Sequence, residues 1–188
     1  MLRFPPLTAV LCAALLLAAT AAPARADEVD EVSRLVAAGQ SGEALARADR
    51  FLATKPNDAA MRFQKGVILS ETQHPDEAIE VFTRLTQDFP DLPEPYNNLG
   101  VLLSARGEYD RARVALETAL RNNPGYAVAH ENLGDIHAVL ASESYARAIK
   151  LDPANTSAAP KLALIRELLA RPARAAAPAL PSVRPPAS

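Results

Sequence analysis

Cysteine is almost absent from this 188-residue chain: the one copy, Cys12, lies inside an apolar run near the N-terminus. A lipid-bearing cysteine would follow a small residue at the end of that run, but this one follows Leu11 and more apolar sequence comes after it. Beyond the run there is no thiol, which excludes disulfides, thiolate metal ligands and thiol nucleophiles. Tryptophan is missing and aromatics make up only 5% of the chain, although 49% of it is apolar. A core of Ala and Leu without aromatics favours closely packed helices over a β-sandwich. Charge of one sign is also lacking: the formal net charge is −2, which is no footprint of a nucleic-acid binder.

Catalytic motifs are missing too. There is no Gly-rich phosphate loop, no His-Glu-x-x-His helix and no Gly-x-Ser-x-Gly elbow. Acidic residues are spread along the chain rather than paired, and nothing combines a nucleophile with a base. The chain therefore reads as a non-enzyme with no cofactor and no metal. The three histidines are His74, His130 and His137. His74 stands before Pro75 as a solvated turn residue. His130 and His137 share a helix face and could suggest a metal pair, but they also hold positions suited to packing rings, and packing is the reading preferred.

What is present begins with a leader. Met1-Leu2-Arg3-Phe4 is short and positive, residues 7–22 are apolar and uncharged, and Ala24-Arg25-Ala26 has the small-x-small pattern of a cleavage site. Residues 1–26 read as a secretory signal peptide, cut after Ala26. The run is short of the ~20 residues needed to span a bilayer, and Pro23 closes it. No stable membrane insertion is expected after cleavage. Without Arg3 and Arg25, 18 basic residues face 22 acidic ones, a net charge of −4.

An internal period of 34 is the strongest signal. Ala44, Ala78 and Ala112 keep this interval, as do Pro56, Pro90 and Pro124, and Gly66, Gly100 and Gly134. In the copy at 93–126, Tyr96, Leu99, Gly100 and Leu103 form an i, i+3, i+4, i+7 stripe, the mark of one buried helical face. Gly107 breaks that helix. Ala112, Leu116, Ala119 and Leu120 line the next one, and Pro124 closes the copy.

A period of 34 with these small residues and a closing Pro resembles the tetratricopeptide repeat (TPR) family, and the resemblance covers about 27–170. It implies an all-α fold of TPR-type helix-turn-helix repeats, stacked as a short right-handed solenoid with a C-terminal capping helix. The repeats fall at 27–58, 59–92, 93–126 and 127–153, followed by the capping helix at 154–170. Repeat one carries Glu28 and Glu31, and repeat two Arg62 and Lys65, where apolar residues are usual. Asp27 is placed as an N-cap. Repeat four is irregular: Pro153 follows Pro124 by 29 residues and no Gly turn separates Leu140 from Ser144. Its inter-helix turn is either compressed or lost by merging of the two helices. Asn155, Thr156 or Ser157 can cap the last helix, whose stripe is Leu162, Ile165 and Leu169. Residues 171–188 carry five prolines and no acid, and read as a disordered tail.

Carried over from the family, the groove positions are Phe63, Val67 and Ser70, then Glu94, Asn97, Val101 and Ser104, then Glu131, Asp135 and Ala138. Asn97 resembles the groove asparagine that bonds a peptide backbone in many members. None of these positions is basic, so the carboxylate-clamping branch of the family is not expected. The expectation is a protein–protein interaction scaffold with an apolar-to-acidic groove for a partner segment bearing positive charge. The partner is an unidentified protein or peptide, not nucleic acid, and end-to-end self-association is open to a short array. The leader places the scaffold in the periplasm of a bacterial envelope. The alternative is a signal-anchored subunit of an envelope assembly complex at the inner membrane.

Overall fold

The structure, a computed structural model, describes residues 21–170. Eight helices are found there: α1 (Ala21–Ala37), α2 (Ser41–Thr54), α3 (Ala59–Glu71), α4 (Pro75–Asp88), α5 (Pro93–Ala105), α6 (Tyr109–Asn122), α7 (Ala127–Leu151) and α8 (Ala158–Ala170). No strand occurs among the described residues. Most of the expected leader and the whole expected tail lie outside the described residues. The chain divides into two compact units between Thr72 and Gln73.

Turn chemistry sets the helix ends. Asp58 is the N-cap of α3, its side chain accepting from the Met61 N–H at 2.9 Å and satisfying one of the orphan donors of the first turn. Proline opens α4 and α5, where the missing N–H costs no helical bond. Gly39 and Gly107 follow α1 and α5 at φ +73° and +76°, a left-handed conformation that glycine adopts without a Cβ clash. Gln73 takes the same left-handed conformation at φ 62° after α3. The three positions are themselves 34 apart, so repeat two keeps the turn but carries a side chain that strains it.

In the N-terminal unit, α1 packs on α2 and α3, and α2 packs on α3. Val32, Leu35, Ala44, Ala48, Met61 and Ile68 form the core, with Val29, Val36, Leu45, Phe51 and Leu52 against it. Glu28 and Glu31 sit where apolar residues were expected because both turn to Arg47 of α2. Arg47 Nε donates to Glu28 Oε2 at 2.8 Å and Nη2 donates to Oε1 at 3.1 Å, while Glu31 lies 4.0 Å away. That hydrogen bond holds the Glu28 carboxyl below its usual pKa and raises the pKa of Arg47. Lys65 reaches Asp49 at 2.7 Å, so its stem spans the α2–α3 contact. The expectation that Asp27 caps the first helix is corrected: α1 begins at Ala21 and Asp27 is inside it. Ala21, Ala22 and Ala24 are strong helix formers and Pro23 is tolerated in a first turn, so the helix runs upstream of the expected cap.

In the C-terminal unit each helix packs on the next, from α4 to α8, and α5 also meets α7. Tyr96 Oη donates to the Thr86 carbonyl at 3.2 Å, and Asn122 Nδ2 donates to the Pro90 carbonyl at 2.7 Å. These bonds join neighbouring repeats. The core is Leu103, Ala112, Leu116, Ala119, Ala129 and Ile136, with Tyr96, Leu99, Leu120, Tyr126 and Leu133 packed against it. Burying a leucine such as Leu116 fully contributes roughly 1.5–3 kcal/mol, less the entropy of ordering it.

Gly100 marks the closest approach of α5 to α6. A Cβ there would lie 2.7 Å from Leu116 Cγ and 3.3 Å from the Ala112 carbonyl oxygen. Only glycine admits that contact. Gly134, one period later, is exposed and a Cβ on it would meet nothing within 4 Å. The reason is α7 itself. Between Leu140 and Ser144 there is no helix breaker, and both parts of repeat four run as one helix of 25 residues. The shortened repeat resolves as merged helices, so its second part never folds back over its first. Asn155 then turns the chain, its Oδ1 accepting from Ser157 N at 3.1 Å and Ala158 N at 3.0 Å, and α8 packs on α7 through Ala158 and Leu162.

Candidate functional site

Glu94, Asn97, Val101 and Ser104 recur at intervals of three and four, and so share one face of α5. Glu131, Asp135 and Ala138 do the same on α7. One bond ties the two helices on this side: Asn132 Nδ2 donates to Asn97 Oδ1 at 2.9 Å. The amide pair fixes the register of α5 against α7. Ser70 of α3 is half-buried, and its hydroxyl donates to the Val67 carbonyl of its own helix at 2.7 Å.

Burial sorts the sequence-derived positions into three kinds. Phe63, Val67 and Asn97 are buried at 5%, 7% and 6% exposure, so they cannot present themselves to an incoming segment as expected. An apolar Phe or Val gains more by being covered within the fold than by waiting for a partner. Asn97 already spends its carbonyl oxygen on Asn132. Glu94, Ser70, Ser104 and Ala138 are half-buried, whereas Val101, Glu131 and Asp135 are exposed, Val101 at 46%. Asn132 was missed by sequence reasoning. It lies one period after Asn98, in the repeated Asn-Leu-Gly of 98–100 and 132–134, and that register was the signal that could have found it.

The electrostatics of this face differ from those of α6. On α6 and its approach, Glu108 pairs with Arg111 and Arg106, Arg113 pairs with Glu117 at 2.9 Å, and Asp110 lies 3.8 Å from Arg113. Glu94, Glu131 and Asp135 have no salt bridge among the described residues. Glu94 faces the phenol of Tyr126, whose pKa is raised first by burial and then by the Glu94 charge. α5 and α7 thus carry uncompensated negative charge, and α5 carries an exposed valine as well.

His130 and His137 are corrected here. Both are exposed rather than packed, and the His130 ring lies 3.0 Å from the Pro124 carbonyl oxygen. They would have been covered had residues 141–151 folded back over residues 127–138, but those residues continue the same helix.

Two family models, both described as tetratricopeptide repeat, match residues 29–93 and 93–126. Solved structures of similar fold include the MamA protein, at 22% identity and a TM-score of 0.57, covering 76% of this chain and 80% of that one. A thermophilic TPR protein of Thermus thermophilus is 22% identical with a TM-score of 0.57, covering 77% of this chain and 82% of its own. The first TPR of Spaghetti bound to an HSP90 peptide is 15% identical with a TM-score of 0.58, covering 61% and 90%. The all-α, helix-turn-helix repeat class expected from the period of 34 is the class these structures have.

Proposed function

Because this chain belongs to the tetratricopeptide repeat family, whose repeats serve as protein–protein interaction modules, we propose that it is a non-enzymatic scaffold that binds a basic partner segment along α5 and α7. The observation that carries this reading is the set of unpaired acids Glu94, Glu131 and Asp135 beside exposed Val101, on helices held in register by Asn97 and Asn132. Unpaired charge around an apolar spot gives a partner both orientation and contact area. The Spaghetti repeat holds the peptide SRMEEVD, which is rich in acids. No Lys or Arg stands at the groove positions Phe63, Val67, Ser70, Glu94, Asn97, Val101, Ser104, Glu131, Asp135 and Ala138 of this chain, so the complementary segment is positive.

The reading extends to the cell envelope. The positive, apolar and small-x-small stretches of residues 1–26 support export, and no described helix is long and apolar enough to cross a membrane. Mass measurement of the chain recovered from cells tests this, with an N-terminus at Asp27 the expected result.

Binding is tested by photo-crosslinking with the reactive residue at Val101, and at Val114 of α6 as control; Asn97 is too buried for the purpose. One partner should crosslink from Val101 and not from Val114. Glu131→Lys with Asp135→Lys should weaken that partner at least about tenfold. Unchanged binding by the double variant overturns the acidic-groove reading.

A further inference from the structure

Repeat four contains both halves of a helical hairpin and closes neither. Counting back from Pro153 as from Pro124, Ala141, Tyr145 and Ala148 take the places of Ala112, Leu116 and Ala119. In repeat three those residues are fully buried against α5; in repeat four the counterparts are only half-buried, with Lys161 of α8 lying 5.6 Å from the centre of the Tyr145 ring. On the receiving side His130, Gly134 and His137 are exposed, where Tyr96, Gly100 and Leu103 are covered or half-covered. Gly134 and Tyr145 are separated by roughly 16 Å along one straight helix, so they cannot meet within a molecule.

We propose that a second copy of this chain completes the repeat: two α7 helices pair antiparallel, residues 141–151 of each covering residues 127–138 of the other. The exchange is reciprocal, so one two-fold axis near the middle of α7 closes both hairpins. Three features favour this occupant over an unrelated segment. The missing half-hairpin is already written in the same chain in the order the fold requires. The hinge is five residues short of the period, and a hinge too short to turn drives exchange between molecules. The charges of α7 are polarised, Glu131 and Asp135 in the first half and Arg147 and Lys150 in the second, with Glu143 the exception, so antiparallel pairing sets opposite signs together. The capping helix agrees with this. Leu164 and Leu168 are 67% and 57% exposed on α8, on a helix that would ride with residues 141–151 onto the partner.

Sedimentation velocity of the full-length chain over a wide concentration range tests the proposal, beside two variants. The first inserts a second copy of residues 107–111 after Leu140, which restores the period and a glycine turn. The second is Gly134→Leu, whose Cβ meets nothing within 4 Å in the single molecule but blocks a partner at the position where a Cβ on Gly100 would lie only 2.7 Å from its neighbour. The parent chain should dimerise. The insertion should be monomeric with undiminished helical circular dichroism, and Gly134→Leu should raise the dissociation constant at least about tenfold. A parent that stays monomeric at every concentration overturns the proposal, and so does an assembly that Gly134→Leu leaves intact. The second variant keeps the test decisive if the insertion misfolds. Because the pairing engages Glu131 and Asp135, partner binding is read on the monomeric variant, where both acids are free, so the two readings fail separately.

Discussion

Repeats three and four begin alike and end differently. Both open with a helix carrying Leu and Gly at the same register, Leu99–Gly100 and Leu133–Gly134. In repeat three, Gly107 at φ +76° reverses the chain, α6 returns over α5, and Leu116 is fully buried against Gly100. In repeat four the turn residues are missing, the helix continues to Leu151, and the glycine faces open space. A small residue therefore records where a helix can be approached, while the turn decides whether anything arrives.

The largest effect that can sharpen this contrast is truncation at the hairpin core. Leu116→Ala should cost about 3 kcal/mol by chemical denaturation, because it leaves a cavity between α5 and α6. The same change at Leu151, 78% exposed at the end of α7, should cost less than about 0.5 kcal/mol. Equal losses would break the comparison.

The two glycines should respond with opposite signs. Gly100→Ala gains helix propensity but forces its Cβ onto Leu116, for a net loss of about 1 kcal/mol. Gly134→Ala should gain up to about 1 kcal/mol when measured dilute, since nothing opposes the new methyl within one molecule. A loss at Gly134 under dilute conditions would mean that α7 is covered in the monomer.

The turns make a finer comparison. Gln73 holds the left-handed conformation that glycine holds in the equivalent turns, so Gln73→Gly should stabilise by about 1 kcal/mol and Gly107→Ala should destabilise by a similar amount. Thermal melts would show the two shifts in opposite directions.

The smallest effect lies in the N-terminal unit. The hydrogen bond from Arg47 lowers the Glu28 pKa, so its stabilisation is present above the unfolded carboxylate pKa and is lost as pH falls through the folded value. Arg47→Ala should flatten the acid limb of a stability–pH curve slightly, as suits an exposed pair. A curve identical to that of the parent would show the ion pair to be idle.

Much of this was legible from residue order because the repeats are locally encoded. Each 34-residue period carries its own small residues and its own closing proline, and within each unit neighbours in sequence are neighbours in space. The turn at Gln73 was legible in principle, from its 34-residue spacing to Gly39 and Gly107. The candidate site was less so. Helical spacing put Glu94, Val101, Glu131 and Asp135 on shared faces, but it could not tell that Phe63, Val67 and Asn97 are covered, because burial depends on what lies opposite.

By itself the sequence determined the helical class, the period and the acidic character of the α5–α7 face, since these follow from spacing and side-chain chemistry along one strand of chain. Tertiary structure alone decided that repeat four runs straight, that His130 and His137 face solvent, and that Asn132 rather than a ligand satisfies Asn97. Each of these depends on whether a second helix returns to cover the first. With no glycine to take the left-handed turn after Leu140, continuing the backbone hydrogen bonds of α7 costs less than breaking them.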